Sequence, residues 1–203
     1  NMQATRNLKA FKMVRRSKFG ILSSTGTSVD MAVFKQLLRN PFSPDFIITT
    51  FGKAFQCHKV LLAARSSVLA EIAREHASIS LDKSPLVLES MLQFLYTDHL
   101  HVEFDYLYEF QQLAKEWEIT ALQALIDQKS FSSQSIIPSS TILKDLSLLM
   151  QQTDKNYSDC KLTDESTGTT YLVHKVILFC YSGYFRSMFT GPWAENNAEH
   201  LEI

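Results

Sequence analysis

Cysteine is scarce in this chain of 203 residues: Cys57, Cys160 and Cys180 are the whole supply, and no two form a C-x-x-C pair. An odd, unclustered set argues against a disulfide scaffold and against a cysteine zinc site. It reads as reduced thiols of a cytosolic or nuclear protein. Long apolar runs are missing too. The densest short one is V-L-L-A-A, Val60 to Ala64, far below the ~18 residues of a membrane span. Collagen and coiled-coil compositions are excluded as well. Nor does one sign of charge dominate, since 20 basic residues face 21 acidic ones for a net charge of −1. No global field therefore draws the chain to nucleic acid. What is present is 45% hydrophobic and 11% aromatic residues in 23.2 kDa. That content supports ordinary cores, rules out wholesale disorder and fits one or two domains.

The charge is unevenly placed. Arg6, Lys9, Lys12, Arg15, Arg16 and Lys18 put +6 in the first 20 residues, leaving −7 on the rest. No apolar h-region follows this basic start, so it is not a signal peptide. With Asn1 first, the sequence is expected to be a piece of a longer chain. Leu8, Phe11, Val14 and Ile21 fall near one helical face. The sharp readings are contacts with anionic lipid, calmodulin or nucleic acid. The favoured one is a helix bridging from an upstream domain, with Phe19 to Ser23 as an edge strand lent to a dimer partner. A single short basic patch carries no base-specific readout, so neither nucleic acid nor membrane is expected as a partner.

An internal repeat sets the organisation. F-Q-C-H-K-V-L-L-A-A-R-S, Phe55 to Ser66, returns as Y-L-V-H-K-V-I-L-F-C-Y-S, Tyr171 to Ser182. Aligning His58 with His174 gives a period of 116 residues, which is a repeated domain and not a solenoid. Upstream, S-P-D-F-I-I matches Y-S-D-C-K-L and pairs Asp45 with Asp159. Two extra residues in the second copy fall in T-D-E-S-T-G-T-T around Gly168, where a hairpin turn tolerates them.

In copy one, Phe46 to Thr50 and Ala54 to Cys57 read as strands around a Phe51-Gly52-Lys53 turn. Val60 to Ala64 and Ser67 to Glu75 read as helical, and Ser78 to Leu81 as a short strand. Ser84 and Pro85 open a helix with Leu88, Met91, Leu92 and Leu95 on its inner face. Leu107, Phe110, Leu113, Ala114 and Trp117 form the next stripe. Thr120 starts a last helix with Leu122, Leu125 and Ile126. Ser130 to Ser140 holds six serines and a proline, the mark of a linker. Ile142 to Gln152 then reads as a lead-in helix mirroring Met31 to Arg39. The fold class is α+β. The domain expectation is a basic segment 1–29, a first domain 30–129, a linker 130–140 and a second domain 141–203.

Catalysis finds little support. Cys57 and His58 are adjacent on an extended segment, so their side chains point apart, and copy two has Val173 in the cysteine's place. His58 and His174 read as structural residues that start helices and specify the fold. No phosphate loop, H-E-x-x-H or G-x-S-x-G occurs. The reading is that this is not an enzyme and needs no cofactor or metal.

The combination of the aspartate, H-K-x-x-L-x-x-x-S, a strand, and F-L-Y-T closing a helix resembles the BTB/POZ family. The resemblance covers Asp45 to about Gln128 in copy one. In copy two it starts at Asp159, passes through S-G-Y-F-R-S-M-F and stops at Ile203, so that copy is expected to be C-terminally incomplete. The tandem arrangement is similar to proteins carrying ankyrin or β-propeller repeats ahead of two BTB domains. With the helices of copy two absent, Phe179, Tyr184 and Phe185 are expected to be exposed, and that copy mobile or aggregation-prone.

The resemblance implies a protein-interaction module in the cytoplasm or nucleus. It would dimerise with itself or another BTB protein and serve as a substrate adaptor of a cullin-3 ubiquitin ligase. The competing expectation is an oligomerisation scaffold, transcriptional or cytoskeletal, with no ligase role. In such adaptors the loop after the third helix carries an apolar residue, any residue, then Glu. Trp193-Ala194-Glu195 matches in copy two, following Met188-Phe189, whereas Ala73 to Ser78 in copy one does not. Tyr96 in F-L-Y-T resembles a second position that can face the cullin. Asp45 with Lys59, and Asp159 with Lys175, resemble the charged pair at the base of the family's dimer groove. The favoured reading of these pairs is structural: an ion pair that specifies the fold and binds nothing.

Overall fold

The computed structural model describes residues 31–122, 141–151, 157–191 and 198–202. These fall into two compact units, one spanning Met31–Leu149 and the other including Met150–Ile203. The basic segment, the serine-rich linker, Leu125 and Ile126 lie outside the described residues.

In the first unit, helix α1 (Met31–Arg39) leads into strands β1 (Phe46–Thr50) and β2 (Lys53–Cys57). Helices α2 (Lys59–Arg65) and α3 (Ser67–Glu75), strand β3 (Ser78–Leu81) and helix α4 (Pro85–Thr97) follow. A single 3-10 turn (Phe104–Tyr106) precedes α5 (Leu107–Glu116). The sheet order is β2-β1-β3, with β1 antiparallel to β2 and parallel to β3, so that Ile48 faces Phe55 on one side and Ile79 on the other. Alternation decides which face is the core: Phe46, Ile48 and Thr50 point inward while Ile47 stays exposed.

Helix α4 is central. Its sequence stripe of Leu88, Met91, Leu92 and Leu95 is buried as expected, but Val87, Phe94 and Tyr96 are buried too. The wider burial arises because α1 packs on α4 from one side and α5 from another. The Ser84 hydroxyl accepts the Leu86 N–H at its start, and Asp98 ends it in a left-handed conformation.

Helix α6 (Ile142–Gln151) crosses the division between the units. The second unit then repeats the opening of the first: β4 (Cys160–Asp164), β5 (Thr169–Val173), α7 (Lys175–Tyr181), α8 (Gly183–Thr190) and β6 (His200–Glu202). Its sheet order is β5-β4-β6, again antiparallel then parallel, with Leu162 between Tyr171 and Leu201. Ser182 accepts the Phe185 N–H to start α8, as Ser66 accepts the Leu69 N–H to start α3.

The exposure expected in this unit is not observed. Phe185 is fully buried, stacked on Phe189 at 6.0 Å and edge-on to Tyr184 at 5.3 Å. Phe179 is half-buried under the Arg186 guanidinium, 5.4 Å from its ring centre. These aromatics pack on one another.

Candidate functional site

Each repeat motif places its histidine at the start of a helix, with extended φ of −123° at His58 and −118° at His174. At His58 every polar group is matched. Nε2 lies 2.7 Å from the Phe42 carbonyl, which can only accept, so Nε2 carries the proton. Nδ1 then accepts from the Tyr96 hydroxyl at 2.9 Å, and that oxygen accepts the His58 backbone N–H at 3.0 Å. Burial lowers the His58 pKa to about 4, opposed by the bond to Phe42. This geometry fits the fold-specifying role: it joins the strand end, the helix start and α4.

His174 occupies the same backbone position without those partners. Both ring nitrogens are buried with no hydrogen-bond partner among the described residues, and burial lowers its pKa to about 4. Among the described residues of the second unit, no helix stands where α4 supplies Tyr96 in the first.

The aspartates act on backbone as well as on charge. Asp45 Oδ1 accepts the Lys59 backbone N–H at 2.7 Å, and Asp159 Oδ1 accepts that of Lys175 at 2.7 Å. Each carboxylate therefore caps the first turn of its helix from a residue preceding the hairpin, which favours negative charge at a helix N-terminus. Burial raises the Asp159 pKa, opposed by the backbone bonds and the Lys175 charge. Lys175 is buried and Lys59 half-buried.

Two expected contact residues point inward. Tyr96 is 1% exposed with its hydroxyl on His58, and Phe189 is 1% exposed against Phe185. Each side chain is packed into a core here, and turning it toward a partner would leave His58 or the aromatic stack unmatched. Met188 is half-buried at the end of α8. Trp193 and Glu195 lie outside the described residues. As for Cys57, burial pushes its thiol up to about 12, assisted by Asp45. A nucleophilic cysteine requires the opposite shift.

A cluster absent from the sequence reading sits at the end of α4. The Arg65 side chain, 1% exposed, donates from Nη2 to Asp98 and from Nη1 to Asp145 and Thr141. Its guanidinium also lies 5.1 Å from the Phe94 ring centre. The other Asp98 oxygen accepts the backbone N–H groups of Thr141 and Ile142, at 2.8 and 3.0 Å. Asp98 thereby caps α6 from a remote part of the chain. The repeat carried a signal for this cluster: Arg65 closes its helix with a charge where copy two has Tyr181.

The BTB/POZ domain family model fits residues 34–133 and again 148–203. Among solved structures, the BTB domain of zebrafish PATZ1 is 21% identical with a TM-score of 0.44, over 52% of this chain and 99% of that one. The BTB (Tramtrack and Bric a brac) domain of human Gigaxonin is 20% identical with a TM-score of 0.41, over 53% and 98%.

Proposed function

From the premise that this chain belongs to the BTB/POZ family and is a protein-interaction module, we propose that it is a substrate adaptor of a cullin-3 ubiquitin ligase, assembling through its BTB units. The observation that carries this reading is Trp193-Ala194-Glu195, placed in sequence directly after α8. An indole fills a pocket on a helical partner, while a carboxylate two residues on meets the polar rim. The exposed part of Met188 stands at the same end of α8. Copy one lacks the pattern and is assigned to pairing with itself or another BTB protein. The work is done by proximity: two linked binding units raise the effective concentration of a bound substrate at the ligase without chemistry by this chain. The setting is cytoplasmic or nuclear.

A second reading, an assembly scaffold without a ligase, is favoured by the absence of the motif from copy one, which carries the longer family match. Calorimetric titration of the N-terminal half of cullin-3 into the 203-residue chain separates the two. The adaptor reading expects micromolar or tighter binding, weakened at least tenfold in both Trp193→Ala and Glu195→Ala. Tight binding that ignores both changes moves the contact away from copy two. Absence of binding by the wild type leaves the scaffold.

A further inference from the structure

We infer that the outer edge of β2 in the first unit is a strand-addition site for an extended acidic segment of a partner protein, a role independent of cullin binding. Four consecutive residues of β2, Lys53 to Gln56, line an open cleft of about 400 Å³. Neighbouring side chains of a strand point to opposite faces, so a cleft touching all four runs along the edge of the strand and not over one face. β2 is the outer strand of its sheet, and Lys53, Ala54 and Gln56 are exposed. Such an edge presents a row of backbone N–H and C=O groups able to pair with another chain.

Edges of this kind are commonly blunted by proline, a bulge or an outward lysine. Here β2 pairs with β1 in unbroken register and contains no proline. Its one lysine stays exposed but is drawn to a neighbouring helix: Lys53 Nζ lies 3.1 Å from Glu89 of α4 and 4.8 Å from the centre of the Phe55 ring. The backbone edge is thus left open.

The far wall of the cleft defines the chemistry of the occupant. Leu38 of α1 and Leu92 of α4 supply apolar surface, and Lys35 and Arg39 stand beside them on α1. Among the described residues Glu89 is the sole acidic one of the lining, and it is engaged by Lys53, so Lys35 and Arg39 set the sign of the field. A segment that pairs with β2 turns alternate side chains toward this wall. Carboxylates interleaved with apolar groups at those positions match it, and lysine or arginine is repelled. The second unit provides an internal contrast. Its matching strand carries Thr169, Thr170, Tyr171 and Leu172, without charge.

The test titrates a short acetylated peptide with glutamate and valine in turn on one face and threonine on the other, followed by fluorescence anisotropy and amide exchange on the 203-residue chain. Binding is expected to slow exchange in β2, to weaken at least tenfold in Lys35→Glu/Arg39→Glu, and to weaken as salt rises. An analogue N-methylated on alternate residues keeps its charge but cannot pair with the edge, and it should bind at least tenfold more weakly. Equal binding of that analogue, equal binding of a lysine-for-glutamate peptide, protection at β5 instead of β2, or no binding at about 1 mM peptide would each overturn the inference. Both charge-reversed residues are exposed on α1, so loss of fold does not confuse the result.

Discussion

At Phe51 the backbone adopts φ of 43°, followed by 79° at Gly52, and the two residues alone join the paired Thr50 and Lys53. Two successive positive φ values give the turn whose twist matches a hairpin, and asparagine followed by glycine suits it best. A phenylalanine there bears the left-handed penalty of ~1–2 kcal/mol. Its ring is 71% exposed and recovers little by burial. Phe51→Asn should therefore stabilise the first unit by about 1 kcal/mol, seen as a higher urea midpoint at unchanged slope. An unchanged or lower midpoint would show that the ring makes a compensating contact. Copy two reaches the same end differently. Asp164 accepts from the Ser166 N–H and from the Ser166 and Thr167 hydroxyls, and Gly168 takes the left-handed φ of 66°.

Among the elements, α6 depends most on one distant side chain. Asp98 holds the Arg65 guanidinium and caps the first turn of the helix, so Asp98→Asn removes the charge while keeping the shape. Losing one partner of a buried ion pair costs ~3–5 kcal/mol where the other charge is left uncompensated, and Asp145 still pairs with Arg65 here, so that range is the upper bound. The first unit should lose ~1–3 kcal/mol in chemical denaturation, and amide exchange at Thr141 and Ile142 should accelerate before the rest of the unit opens. Unaltered exchange there would show that packing alone seats the helix. This cluster also marks the limit of what the sequence discloses. Helix α4, strands β1 and β3, the hairpin, and the second-copy counterparts of those strands and hairpin follow from alternation, spacing and the repeat, all local signals. Arg65 and Asp145 are 80 residues apart, and no periodicity links a helix's last residue to a helix beyond a linker. The Asp45 and Asp159 positions were legible, but their backbone capping was not: the residue types suggested two charges meeting, whereas the lysine main chain supplies the hydrogen bond. Tyr96 shows a related limit, since a motif position does not say which way a side chain faces, and the bond of its hydroxyl to His58 has no local signal.

Across the whole molecule, the two histidines couple stability to acidity. Each has its pKa lowered from the ordinary 6.5 to about 4 by burial. As the pH falls below 6.5 the unfolded chain takes up a proton at each site that the folded chain refuses, so stability is greatest above 6.5 and declines towards pH 4. At ~1.4 kcal/mol per pKa unit, each histidine accounts for a loss on the order of 3 kcal/mol by that point. The copies should nevertheless respond differently to losing the ring. His58 is matched on all sides, so His58→Leu removes the ring bonds to the Tyr96 hydroxyl and the Phe42 carbonyl and lowers stability. His174 has two unmatched buried nitrogens, and His174→Leu removes that desolvation cost. The second unit should gain ~1–2 kcal/mol at pH 7 and lose its share of the decline between pH 6.5 and 5, a range still above most carboxylate titration. Thermal melts of both variants across that range decide the matter. Destabilisation by His174→Leu equal to that by His58→Leu would mean that His174 is matched by a group beyond the described residues.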